Sequence, residues 1–407
     1  LLRPHLPALW IDLVLLLGCT ITAAPLRALT VPFAYVSNKH SADVSVINTV
    51  TRKVVGSIGV GEDPSEVATS PDNHFVYVAN SDADSVSVID TGTNTVVGAV
   101  GVGKSPLGVA STSDGSFVYV TNTGANTVSV IDAETNAVHT LGVGSSPAGI
   151  ALTPGGGFAY VANTQTLESP APGNVSVIDT STDQVIATIG AGNNPFAVAL
   201  TPDGRFAYVT NSNSLYVAGA GTVSVIDVGT NAVVGQIPVG RNPLGIAITP
   251  DGGSAYVTDF YDNQVSIIDI ATNKVTGSVQ VGNNPLGVAI TPDGRFVYVA
   301  NRQPLNNQVL GDVSVIDTST NQVVATVPAG YNPTGIAIAS VSVPACAGDC
   351  NDDGVVTVDE LLTGIRIALG EEPLSDCPLF DTNGDGKVTV DELLAAVEVA
   401  LTGCSAQ

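Results

Sequence analysis

A four-residue phrase, Tyr-Val-(Ser/Ala/Thr)-(Asn/Asp), recurs seven times, beginning at Tyr35, Tyr77, Tyr119, Tyr160, Tyr208, Tyr256 and Tyr298. The spacings are 42, 42, 41, 48, 48 and 42 residues. Each interval holds four short runs rich in Val, Ile and Tyr, bounded by Pro, Gly, Asn and Asp, which are strand signals. In the second interval they are Pro64 to Thr69, Phe75 to Ala79, Ser85 to Ile89 and Thr95 to Val100. A period in the forties made of four strands reads as a propeller blade. Thr-Pro-Asp-Gly recurs at Thr201, Thr249 and Thr291, where Pro presets one turn dihedral and Gly supplies a positive φ. Gly-x-x-Pro linkers (Gly103 to Pro106, Gly192 to Pro195, Gly282 to Pro285) join one unit to the next. The pattern opens on a second strand, Phe33 to Ser37, and closes on an orphan Pro-led strand, Thr334 to Ala339. The last strand is therefore expected to complete the first blade, which closes the ring and removes two exposed edges.

These repeats resemble the YVTN family of seven-bladed β-propellers. The signature stands intact at Tyr119 to Asn122 and Tyr208 to Asn211, and the resemblance covers Phe33 to about Ser340; Thr258-Asp259 departs from it. It implies an all-β propeller with a surface or secreted location, and it implies an activity far less.

A formal net charge of −24 argues against a nucleic-acid partner, which would need basic residues facing phosphates. With 44% hydrophobic but 5% aromatic residues, the core has to be Val, Ile, Leu and Ala. The four histidines (His5, His40, His74, His139) fall at unrelated blade positions, and no Cys-x-x-Cys-His or Gly-x-Ser-x-Gly is present. No catalytic residue is assigned, and a non-enzymatic role is expected. Asp90, Asp132, Asp179, Asp227, Asp269 and Asp317 recur with the fold and read as turn caps.

Three blades carry eleven residues where four carry five, between the second and third strands: Thr164 to Asn174, Ser212 to Thr222 and Arg302 to Asp312. All three project from the face that also holds the linkers, where long loops on a rigid scaffold commonly bind ligands. Leu167, Glu168, Tyr216, Arg241, Arg302, Gln303 and Tyr331 are the candidate binding face.

After a linker at 341–348 the pattern changes. Asp349, Asn351, Asp353, Val355, Thr357 and Glu360 stand at positions 1, 3, 5, 7, 9 and 12 of a calcium loop. Asp381, Asn383, Asp385, Lys387, Thr389 and Glu392 repeat it. Ca²⁺ takes six to eight oxygens: side chains at 1, 3 and 5, the backbone carbonyl at 7, often a water at 9, and a bidentate Glu at 12, with Gly at 6. Two Ca²⁺ sites are expected, with Val356 and Val388 pairing the loops in a short two-stranded contact. Each loop leads into an amphipathic helix, and no helix precedes the first loop. This arrangement resembles a dockerin-like EF-hand pair over 349–404, although Glu360 and Glu392 end the loops as in EF-hands. Cys346, Cys350, Cys377 and Cys404 are expected to form two disulfides, with three pairings open.

Residues 1–24 read as an export signal, with a possible lipid anchor at Cys19 and no membrane span in the mature chain. The reading is thus a secreted or cell-surface, calcium-binding protein. Its propeller is a scaffold for a protein or carbohydrate partner, and its terminal module a docking unit. Two alternatives are an extracellular hydrolase, lactonase-like, and a structural surface-layer component.

Overall fold

The computed structural model describes residues 28–165, 171–213, 220–302, 309–344, 346–351, 354–382 and 386–402. The segment expected to be an export signal, 1–24, lies outside them. No helix among the described residues is long and apolar enough to cross a membrane.

Seven four-stranded antiparallel sheets form the propeller. Inner strands begin at the linker prolines: Pro64–Thr69, Pro106–Ser111, Pro147–Leu152, Pro195–Leu200, Pro243–Ile248 and Pro285–Ile290. The seventh, Pro333–Pro344, pairs with Ala28–Asn38 in the sheet that also holds Asp43–Asn48 and Lys53–Gly59. Blade 1 is therefore built from both ends of the repeat region, as the phase of the repeats requires. The ladder is longer than expected, running past Phe33 opposite Ala339 to Ala28 opposite Pro344. The first four residues of the segment read as a linker are thus strand.

The core lies between blades rather than within them. Ala34, Val36, Ile47 and Ile336 of blade 1 pack on Tyr298, Val313 and Val315 of blade 7, and equivalent clusters fill the other six interfaces. These are sheet faces packed on one another, so side chains of Val, Ile and Ala size suffice.

The repeated phrase has a role for each residue. Its tyrosines are buried, and six reach across to the outermost turn of the next blade. Tyr35 Oη donates to Asn94 Oδ1 (2.7 Å), Tyr119 to Asp183 Oδ1 (2.9 Å), Tyr160 to Asn231 Oδ1 (2.8 Å) and Tyr208 to Asn273 Oδ1 (2.6 Å). Tyr256 Oη donates to Asn321 Oδ1 (2.9 Å), and Tyr298 closes the ring on the Thr49 carbonyl (3.0 Å). Where the third residue is Thr, its hydroxyl ties blades near the axis: Thr121 Oγ1 to the Ala148 carbonyl (2.5 Å), Thr210 to Leu244 (2.7 Å) and Thr258 to Leu286 (2.8 Å). The Asn holds the third strand, as Asn122 Nδ2 does by donating to Thr127 Oγ1 (3.0 Å) and Ser129 Oγ (2.9 Å). The linker crosses directly over this Asn, so its glycine has no room for a side chain. A Cβ on Gly103 would lie 2.6 Å from Asn122 Cγ.

The recurring aspartates are turn caps: Asp90 Oδ1 accepts from the Thr93 amide (2.8 Å) and Asp269 Oδ1 from the Thr272 amide (2.7 Å).

The C-terminal module has two short helices, α1 (Val358–Ala368) and α2 (Val390–Thr402). Thr357 caps α1 with Glu360 in a reciprocal capping box. Ile367, Cys377, Phe380 and Ala396 form the small core, with Leu361 and Leu393 packed on it. Val388 joins that core and Val356 is buried, but neither lies in a strand, so the expected two-stranded contact does not form. Cys350 and Cys377 are bridged, and Cys346 is likewise disulfide-bonded; Cys404 lies outside the described residues.

Candidate functional site

Ring closure brings distant residues together on the linker face. Lys39 and His40 begin the loop after the second strand of blade 1, and Arg302 holds the equivalent place in blade 7. Between them runs the linker ending at Asn332, whose backbone accepts from the Lys39 amide at 3.0 Å. Asn332, 6% exposed, bridges the two blades with its side chain. Its Oδ1 accepts from Arg302 Nε (3.4 Å) and its Nδ2 meets His40 Nδ1 (2.6 Å). The same amide nitrogen lies 3.4 Å from His40 Nε2, so both ring nitrogens face Asn332. Lys39 Nζ pairs with Asp63 Oδ2 at 2.8 Å on the following linker.

Burial pulls the Arg302 guanidinium below its ordinary value, and the Asp63 charge only partly offsets this. Burial and then the Arg302 and Lys39 cations hold His40 below the usual imidazole range. A largely buried arginine beside a neutral amide is costly unless an anion joins it.

A second feature lies on the ring axis. The third residue of each inner strand faces its neighbour so closely that Gly or Ala is the rule. A Cβ on Gly245 would lie 2.2 Å from the Leu286 carbonyl and one on Gly287 2.3 Å from that of Thr334. The series reads Glu66, Gly108, Gly149, Ala197, Gly245, Gly287, Gly335. Glu66 is the exception, and it lines a cavity of about 100 Å³ together with Leu107, Phe196 and small or aliphatic residues. Burial pushes its carboxyl up to about 7.

Three residues of the expected binding face, Arg241, Arg302 and Tyr331, are described. Leu167, Glu168, Tyr216 and Gln303 lie outside the described residues. Tyr331 neighbours the cluster: it stands opposite Leu310 in the ladder, and its amide donates to Ser41 Oγ (3.2 Å). Arg241 is not part of the cluster; it is held at the junction of blades 5 and 6 by Asp262 Oδ1 (2.5 Å) and the Tyr261 carbonyl (3.0 Å). Asn194, Asn242, Asn284 and Asn332 each take a positive φ immediately before a linker proline, which explains their recurrence structurally. Sequence reasoning alone does not reach His40, Asn332 or Glu66. Glu66 was legible as the one acidic residue in the register of seven; His40 was not, because its partners lie at the other end of the repeats.

In the C-terminal loops, both oxygens of the last Glu fold back onto the loop. Glu360 Oε1 accepts from the Cys350 (2.9 Å) and Asn351 (3.2 Å) amides and Oε2 from Thr357 N (2.7 Å). Glu392 repeats this with Thr382 N (2.9 Å) and Thr389 N (2.8 Å). Asp349 Oδ2 accepts from Gly354 N and Asp381 Oδ2 from Gly386 N, both at 2.8 Å. Gly354 and Gly386 take φ values of 80° and 82°, the left-handed turn required at position 6. Asp353, Asn383 and Asp385 lie outside the described residues, and among those described no group of three or more His, Cys, Asp or Glu gathers as a metal cluster. The donors that are described fit a calcium loop in placement and chemistry; Val355 and Lys387 would serve through their carbonyls.

The helices differ from their expected single apolar face. Leu361 and Leu393 turn inward, while Val358, Leu362 and Ile365 on α1 with Leu369 at its C-terminal cap, and Val390, Leu394, Val397 and Leu401 on α2, are exposed. The two stripes repeat the same spacing.

Residues 32–142 match the family model described as lactonase, 7-bladed beta-propeller. No curated protein matches the chain. Among solved structures, hydrazine synthase of Kuenenia stuttgartiensis aligns at 23% identity and a TM-score of 0.60, covering 70% of this chain and 97% of that one. A functionally unknown protein from Desulfotomaculum acetoxidans DSM 771 aligns at 19% identity and 0.63, covering 75% and 98%. Dihydro-heme d1 dehydrogenase NirN in complex with DHE aligns at 17% identity and 0.55, covering 75% and 74%. At such identities the likeness is one of fold.

Proposed function

We propose that the propeller binds a small carboxylate-bearing molecule where blades 7 and 1 meet, and that the C-terminal module is a calcium-stapled docking unit. The observation that carries the first part is Arg302: a largely buried cation whose side-chain partner is the neutral Asn332 amide. An anion seated there would be held by the guanidinium and by Lys39 at the rim, with the His40 ring beside it. Thermal-shift titration with malate, citrate and gluconate tests it. At least one should raise the melting temperature of the full chain, and Arg302→Gln should weaken that ligand tenfold or more, about 1.4 kcal/mol, without lowering the unliganded melting temperature. Unchanged affinity in the variant would refute the reading.

Calcium would be held in the first loop by Asp349, Asn351, Asp353, the Val355 carbonyl and Glu360, and in the second by Asp381, Asn383, Asp385, the Lys387 carbonyl and Glu392. When bound, the ion crosslinks the start and end of each loop and offsets carboxylate repulsion. At twenty times its dissociation constant, each Ca²⁺ stabilises the module by about 2 kcal/mol. Chelation with EDTA should therefore lower the unfolding temperature of the module; a calorimetric trace indifferent to chelator would rule out structural calcium. The paired apolar stripes on α1 and α2 support docking to another protein, and the Cys350–Cys377 bridge supports an oxidising, extracytoplasmic location.

A second reading is lactone hydrolysis. It is favoured by the matched segment 32–142, which spans His40, Asp63 and Glu66. Water would add to the lactone carbonyl, the ring C–O bond would break, and the freed oxygen would take a proton. The product, a hydroxycarboxylate, is the class of anion the Arg302 site suits. A carboxyl poised near 7 has the acidity needed for that proton traffic. Loss of hydrolysis in Glu66→Gln with carboxylate binding intact would favour the enzyme over the binder.

A further inference from the structure

Six of the seven repeat tyrosines clasp the next blade; Tyr77 does not. It is 6% exposed, yet its hydroxyl has no hydrogen-bond partner among the described residues. The cause is one residue. In six blades the third and outer strands pair with a β-bulge, as between Val88 and Ile89 in blade 2, where Val97 is the extra residue. In blade 3 the outer strand, Val138–Gly142, pairs with Thr127–Asp132 without a bulge. The chain is one residue shorter there, which is why Tyr119 and Tyr160 are 41 apart when the shortest other spacing is 42. A bulge bends its strand and re-aims the adjoining turn. Without it, the turn carrying Asn136, the counterpart of Asn94, does not reach Tyr77.

The missing clasp leaves a cleft of about 520 Å³ between blades 2 and 3, on the face opposite the linkers. Tyr77, Phe75, Ser70, Asp72, Asp114 and Glu134 line it, and no basic side chain does. That volume lies within the range of small-molecule pockets, about 300–1,000 Å³. Hydroxyl hydrogen bonds from Ser70 and Thr112 keep Asp72 and Asp114 below the usual carboxylate range, so both are charged at neutral pH. His74 Nδ1 stands 3.3 Å from Asp72 Oδ2.

We propose that this cleft binds a small protonated amine that also carries an oxygen acceptor, a molecule of amino-sugar size. Its oxygen takes the place of the lost turn acceptor on the Tyr77 hydroxyl, and its ammonium group sits among Asp72, Asp114 and Glu134. The aromatic faces of Phe75 and Tyr77 cover its apolar side. The cleft is independent of the Arg302 site and stands or falls without it.

Calorimetric titration of the full chain with glucosamine at neutral pH, with glucose as the uncharged control, tests the proposal. Glucosamine should bind saturably and glucose at least tenfold more weakly. Tyr77→Phe should weaken glucosamine tenfold or more and leave the melting temperature unchanged, because Tyr77 clasps nothing. The same change at Tyr208 should lower the melting temperature and leave binding intact. Glu134→Gln should weaken binding by several-fold. Inserting one glycine after Val138, to restore the bulge and the clasp, should abolish it. No binding of glucosamine, equal binding of glucose, or full affinity in Tyr77→Phe would each overturn the proposal.

Discussion

Ending the chain at Asn332 should abolish cooperative folding of the propeller, whereas ending it at Pro344 should leave its melting temperature within a few degrees of the full chain. The shorter truncation removes the inner strand of blade 1. Ile336 is lost from the interface with blade 7, and Ala339 and Val341 from that with blade 2. Burial of each large aliphatic side chain contributes about 1.5–3 kcal/mol. The Ala28–Asn38 strand would also expose its entire paired edge, an invitation to aggregate. Domains have only about 5–15 kcal/mol to lose, and the Tyr298 clasp on Thr49 loses its setting as well. Circular dichroism melts and size-exclusion chromatography of the two truncations read this out. A monomeric, cooperatively melting product ending at Asn332 would show that the ring does not depend on its closing strand.

Asp259→Asn should stabilise the protein at neutral pH. Six of the seven signature phrases end in Asn and one in Asp259, at the same buried place beneath the linker. Asp259 accepts from Ser266 Oγ (2.6 Å) and Gln264 Nε2 (3.2 Å), and among the described residues no cation pairs with it. Burial pushes its carboxyl up from 3.8 to about 6. In the unfolded chain the group ionises at the lower value; in the folded chain it keeps its proton until the higher one. Stability therefore falls as pH rises from about 4 to about 6, and the whole loss is present at pH 7. At 1.36 kcal/mol per pKa unit this is on the order of 3 kcal/mol. Asparagine removes the ionisation and can donate to Ser266 and Gln264 once their polar groups rotate. Denaturant melts from pH 4 to 8 should show the variant and parent converging towards pH 4, parting between about 4 and 6, and keeping a constant gap above that. Parallel curves would mean that Asp259 does not titrate in this window.

Much of the architecture was legible because it depends on local rules. Linker glycines, turn aspartates and residues before the linker prolines are chosen by backbone geometry, which repeats with the sequence. The phase of the strands at the two ends implied which strand closes the ring. The roles of the repeated Tyr and Asn were less legible, since each is defined by a partner in another strand or the next blade. The helix faces misled for a related reason. An amphipathic pattern suggested one buried face per helix, but the module is too small to cover it: Phe380 fills the space against Gly364, where a Cβ would lie 2.3 Å from its ring, and the stripes remain outside.

The number of blades, the manner of closure, the turn chemistry and the two loops whose oxygens suit calcium are all written in the order of residues. They follow from periodicity and from spacings within a few positions. That Lys39, His40, Arg302 and Asn332 share one place is a product of folding, because ring closure joins positions some 290 residues apart. So is the loss of the Tyr77 clasp to one missing residue in blade 3. The physical reason is the same for both. A contact between blades is set by where a strand is aimed after it folds, and a single bulge or a closing strand changes that aim while barely altering the repeat.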